Sequence, residues 1–165
     1  MKHEISYITT DLQLRAPLDL APLADELVQR GLLLHFVGPW QNGSCSARFA
    51  SAAPSSEPNP DIAVMLTAIE ALYEPSRNLW VACTSRDFDI GYDCGDGPSS
   101  LMQHLSPATL VRMAAIGAGL TITIYPVLET DAVEAAIAIL KKIIGSEGVG
   151  VKPMGMAFIT RIHRH

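Results

Sequence analysis

Leu32-Leu33-Leu34-His35-Phe36-Val37-Gly38-Pro39-Trp40-Gln41-Asn42-Gly43-Ser44-Cys45-Ser46-Ala47-Arg48-Phe49-Ala50 is the stretch on which the fold turns. Leu32 to Val37 and Ser44 to Ala50 read as two strands, and Asn42-Gly43 between them tolerates the positive φ of a hairpin turn. A hairpin makes its two strands antiparallel. On its upstream side, Ile5 to Leu14 alternates as a strand. Asp19 then offers a helix cap, and Leu20, Leu23, Leu27 and Val28 fall on one helical face before Gly31. Downstream, Ser51 to Pro58 is a Ser-, Ala- and Pro-rich loop expected to be mobile. Asn59-Pro60 starts a helix lined by Ile62, Met65, Leu66, Ile69, Leu72 and Tyr73. Pro75 interrupts that period, and a short helical piece runs on to Cys83.

Arg86 to Cys94 alternates as a strand with Phe88, Ile90, Tyr92 and Cys94 on one face, and Leu101 to Leu105 is expected to pair back on it. Ser106-Pro107 caps a third helix, Leu105 and Leu110 are placed for a hydrophobic staple, and Gly117 ends the helix before the strand Leu120 to Tyr125. A fourth helix capped by Thr130 and a last strand, Ala157 to Ile162, complete the reading. The interleaving of hairpins and helices gives an α+β domain, a mixed and largely antiparallel sheet with helices packed on it. The first four or five elements suit a ferredoxin-like half. One domain over residues 1–165 is expected, with 1–126 as the core and 127–165 as a C-terminal helix and strand extension.

Leu105-Ser106-Pro107-Ala108-Thr109-Leu110, Met113-Ala114-Ala115-Ile116-Gly117 and Leu120 to Tyr125 resemble a bacterial domain-of-unknown-function family. In that family a Leu-Ser helix start, a short helix ending in Gly and a strand ending in Tyr close the domain. The resemblance implies a bacterial α+β domain and brings no activity with it.

The chain's 165 residues suffice for a core without disulfide or metal. Seventeen acidic and twelve basic side chains give a charge of −5, which argues against nucleic acid and suits a basic protein partner. Met1-Lys2-His3-Glu4-Ile5 lacks the apolar run of a signal peptide, and Ala132 to Ile144 is too short and too charged to span a bilayer. Three cysteines, Cys45, Cys83 and Cys94, without a Cys-x-x-Cys pair read as reduced thiols of the cytoplasm.

Arg86-Asp87-Phe88-Asp89-Ile90-Gly91-Tyr92-Asp93 places Asp87, Asp89 and Asp93 on one strand face. Carboxylates two residues apart sit about 6.8 Å apart and repel by roughly 0.6 kcal/mol in water, or about 2.4 kcal/mol at an effective dielectric of 20. Such a face must be exposed or paired. A solvated surface, an acidic strip for a basic partner and a metal or catalytic site all begin from this pattern. The calcium version fails because Tyr92 and Pro98 fall where an EF-hand needs Gly and Glu. Cys94 alternates with the apolar residues and is expected to be a buried small hydrophobe. The histidines, including His163 and His165, give no zinc spacing, the glycines give no phosphate loop, and no cofactor is implied. Trp40 at the hairpin tip is the aromatic expected at a contact, and Trp80 belongs to the core.

The leading expectation is a non-enzymatic protein-binding module of the immunity or antitoxin kind, using Asp87, Asp89, Asp93 and Trp40. The alternative is an enzyme or small-ligand sensor with a pocket near Tyr92, Asp93 and Cys94. A third is a structural subunit that forms a homo-oligomer through its apolar fourth helix.

Overall fold

The computed structural model describes residues 4–95 and 100–126. The helix expected from Thr130, the strand Ala157 to Ile162, and His3, His163 and His165 lie outside the described residues. Within them the order is β1 (Ser6–Ala16), α1 (Ala21–Gln29), β2 (Leu32–Pro39), β3 (Cys45–Ser51), α2 (Pro58–Glu70), α3 (Glu74–Ala82), β4 (Ser85–Asp93), α4 (Pro107–Ala115) and β5 (Gly119–Tyr125). The strands form one sheet in the order β2-β3-β1-β4-β5. Every pair is antiparallel except β4 with β5, which run parallel. The architecture is α+β with a mixed, largely antiparallel sheet.

The hairpin forms as its turn residues dictate. Asn42 and Gly43 take φ of 58° and 75° in a single 3₁₀ turn, and the Trp40 N–H donates to the Ser44 carbonyl at 2.7 Å. The segment Leu101 to Leu105 corrects the expectation of a pairing strand. It is irregular, and the edge of β4 that it would have used is taken by β5. β5 returns parallel to β4, and a parallel return requires a crossover long enough to hold a helix, here α4.

Helix starts follow local chemistry. The Ser106 hydroxyl accepts the Thr109 N–H at 3.1 Å and caps α4, with Pro107 at its first position. Leu105 packs against the core, but Leu110 is exposed. Asp19 accepts the Ala21 N–H at 2.9 Å ahead of α1, although Leu20 is the boundary residue. Asn59 lies inside α2 instead of capping it, and its side-chain oxygen accepts the Ser106 N–H at 2.8 Å.

Alternation on the strands sends Leu12, Leu14 and Ala16 of β1, Ala47 and Phe49 of β3, and Phe88, Ile90 and Tyr92 of β4 to one side. They join a single apolar cluster with Leu23 and Leu27 of α1, Ile62, Met65 and Leu66 of α2, Trp80 of α3 and Met113 of α4. The described helices therefore all cover the same sheet face. Each fully buried Phe or Leu contributes about 1.5–3 kcal/mol relative to exposure. The opposite face carries the remaining alternation of β1, β3, β4 and β5.

The loop after β3 is not the free segment that its composition suggests. The Ser55 N–H donates to Asp61 Oδ1 at 2.8 Å, and the Ser55 hydroxyl donates to the Glu57 carbonyl at 2.6 Å. Asp61, in the first turn of α2, is 2% exposed and also accepts the Tyr7 hydroxyl at 2.7 Å. Tyr7 in turn shares a 2.8 Å hydrogen bond with Thr10, and burial above all raises its phenol pKa.

Candidate functional site

The face that no described helix covers is built around β4. With Phe88, Ile90 and Tyr92 in the core, Asp87, Asp89, Gly91 and Asp93 point the other way. Their neighbours follow from register. Gln13, Asp11 and Thr9 of β1 stand opposite Asp87, Asp89 and Gly91, while Gly119, Thr121, Thr123 and Tyr125 of β5 flank them on the other side. Ser46, Arg48 and Ala50 of β3 extend the face past β1.

The carboxylates differ in their surroundings. Asp89 is half-buried and accepts two hydrogen bonds, from the Gln13 amide at Oδ2 and the Thr123 hydroxyl at Oδ1, each 2.7 Å. Asp87 accepts the Ser85 hydroxyl and lies over Gly119, where a Cβ would collide with Asp87 Oδ1. Asp93 is exposed at the strand end. Gly91 sits beneath the Tyr125 ring, which a Cβ would meet at 3.2 Å. Among the described residues no basic side chain comes within 4.0 Å of Asp87, Asp89 or Asp93.

Asp11 is the fourth carboxylate of this face. It stands directly across from Asp89, 3.6 Å from Arg48 Nε and 4.0 Å from His35 Nε2. Burial raises its pKa, Arg48 and His35 oppose the rise, and Asp89 adds to it. Side chains reaching across from neighbouring strands thus bury a carboxylate on a face that no described helix covers.

Trp40 is 46% exposed at the hairpin tip, with the Arg15 guanidinium 5.8 Å from its ring. Phe36 and Leu33 of β2 are also exposed. Trp80 is in the core, its indole N–H donating to the Ile116 carbonyl at 3.0 Å.

Tyr92, Asp93 and Cys94 are not brought together. Tyr92 points into the core, its hydroxyl donating to Gln103 Oε1 at 2.9 Å, while Asp93 projects from the opposite face. Cys94 is exposed, which corrects the expectation of a buried hydrophobe. β4 ends at Asp93, so the alternation no longer governs Cys94, and its N–H donates to the Tyr125 carbonyl at 2.7 Å. The remaining described thiols, Cys45 and Cys83, are buried, and burial pushes Cys83 up to about 11. A shallow cavity of about 270 Å³ near Gln103 is lined by Glu57, Asn59, Met102 and His104 and includes none of the three.

Asp11, His35, Arg48, Gln13 and Thr123 were not singled out by sequence. Each lies on an alternating strand, but only the register between distant strands joins them to Asp89. No family model, curated protein or solved structure matches the chain. Among the described residues no helix is long and apolar enough to cross a membrane.

Proposed function

We propose that this chain is a non-enzymatic protein-binding module, of the immunity or antitoxin kind, that docks a basic protein on the sheet face that no described helix covers. The observation that supports this most is the set Asp87, Asp89 and Asp93, three carboxylates on one side of β4 with no basic group within 4.0 Å among the described residues. In water such charges are stable. Once covered, they require cations from the partner, so the face favours Lys- or Arg-rich surfaces and speeds their encounter. Trp40, Phe36 and Leu33 supply apolar contact toward β2. The net charge of −5 acts in the same direction.

The test is affinity capture from a lysate of the source cell, followed by calorimetry with the purified captured protein. The variant is the triple substitution Asp87→Asn, Asp89→Asn and Asp93→Asn. Asn at 89 retains an acceptor for Gln13, and its amide can donate to a rotated Thr123 hydroxyl, so the fold is expected to survive. A basic partner whose affinity falls at least about tenfold in the variant, and falls with salt, supports the proposal. Equal affinity for both proteins removes the acidic face from the interface.

A further inference from the structure

We infer that the groove between α1 and the outer edge of β2 takes an extended peptide with an apolar-x-basic pattern as an added strand. This inference is independent of the role proposed for the acidic face.

Among the described residues β2 is an edge of the sheet, paired with β3 alone, and no turn or loop bond occupies its outer backbone groups. Edge strands are usually guarded by charge, proline or shortness. β2 has eight residues, Leu-Leu-Leu-His-Phe-Val-Gly-Pro, with no Lys, Arg, Asp or Glu and proline only at its end. Its one irregularity is the register shift between Leu34 and Phe36. The half before that shift faces a groove of about 510 Å³ lined by Asp25, Val28 and Gln29 of α1 and Leu32, Leu33 and Leu34 of β2.

The groove's chemistry selects its occupant. Its unpaired backbone groups call for an extended chain, which binds an edge through main-chain hydrogen bonds and places alternate side chains in the flanking pocket. Val28, 43% exposed, offers apolar contact. Asp25 is exposed and has no basic group within 4.0 Å among the described residues. Asp25 and Val28 lie about one turn apart, roughly 4.5 Å along α1, and groove-facing residues of an extended chain recur about every 6.8 Å, so successive ones meet Val28 and Asp25. A second copy of this chain fits poorly, because each copy carries a charge of −5 and brings no cation in β2 to meet Asp25.

The probe is a fluorescein-labelled, acetylated and amidated peptide, Thr-Val-Thr-Lys-Thr-Val-Thr-Lys, titrated by anisotropy against the full chain. Saturable binding is expected, weakened about tenfold or more by Asp25→Lys, by Glu in place of Lys in the peptide, and by N-methylation of alternate peptide amides. The triple Asn variant of β4 should bind as the native chain does. Absence of binding overturns the inference, and so does binding indifferent to Asp25→Lys or to N-methylation. Loss confined to the triple variant would seat the peptide on the acidic face, overturning this inference while leaving the proposed function standing. A dimer in sedimentation equilibrium that Asp25→Lys tightens would replace the peptide with a second copy.

Discussion

Replacing Asp61 with alanine tests how the loop between β3 and α2 is held. Asp61 is 2% exposed, and its two oxygens accept the Tyr7 hydroxyl at 2.7 Å and the Ser55 N–H at 2.8 Å. Hydrogen bonds to a charged group contribute about 1.5–3 kcal/mol each, so losing both costs about 3–6 kcal/mol. At about 2–4 °C per kcal/mol for a chain of this size, the melting temperature should fall by roughly 6–24 °C. Tyr7→Phe removes the bonds to Asp61 and to Thr10 but leaves the Ser55 bond, costing about 2–4 kcal/mol. The assay is urea denaturation of both single variants and the double variant. The two losses should be non-additive by about 1.5–3 kcal/mol, because the residues share one bond. Amide exchange at Ser55 should quicken in Asp61→Ala and stay near native in Tyr7→Phe. A loss below about 1 kcal/mol in Asp61→Ala, or additive single effects, would refute the reasoning and show that water satisfies the carboxylate.

Two further outcomes follow from neighbouring features. Burial raises the Asp11 pKa above 3.8, so between that value and its folded pKa the folded chain binds more protons than the unfolded one. Stability contributed by this residue is therefore present at lower pH and is lost as pH rises through the window. Denaturation across about pH 3–6 should show Asp11→Asn removing that slope, and NMR titration of Arg48→Met should place Asp11 higher still. Arg86→Met should cost about 2–4 kcal/mol, because the guanidinium donates to the carbonyls of Trp80, Val81 and Cys83 at the end of α3 and of Gly117 after α4. Arg86→Lys should recover less than half in the same denaturation assay, since one ammonium cannot span both ends.

The parts of the fold legible in the sequence are those whose cause is local. Asn42-Gly43 takes the positive φ that its chemistry permits, Ser106 caps the helix it precedes, and Gly117, at φ 67°, ends it. The shared face of Asp87, Asp89 and Asp93 needed only the alternation of one strand. What the sequence hid was non-local. Leu101 to Leu105 has a strand's composition, but strand formation depends on a free partner edge, and β5 holds it. Asp11 joins Asp89 across 78 positions of chain through register alone, and no local period announces that meeting. Cys94 follows the alternation by one step too many, because periodicity does not mark where a ladder ends.

The central position of β1 has a consequence for synthesis on the ribosome. β1 is made before either strand that flanks it in the sheet. At about 5–20 residues per second, β3 arrives some seconds later and β4 later again, after about 80 further residues. Until β4 arrives, the strand that carries Leu12 and Leu14 keeps one edge open, although α1, α2 and α3 already exist to cover its apolar side. The nascent chain must therefore be kept from pairing with others while its middle strand waits, which makes translation speed through α2 and α3 a determinant of yield.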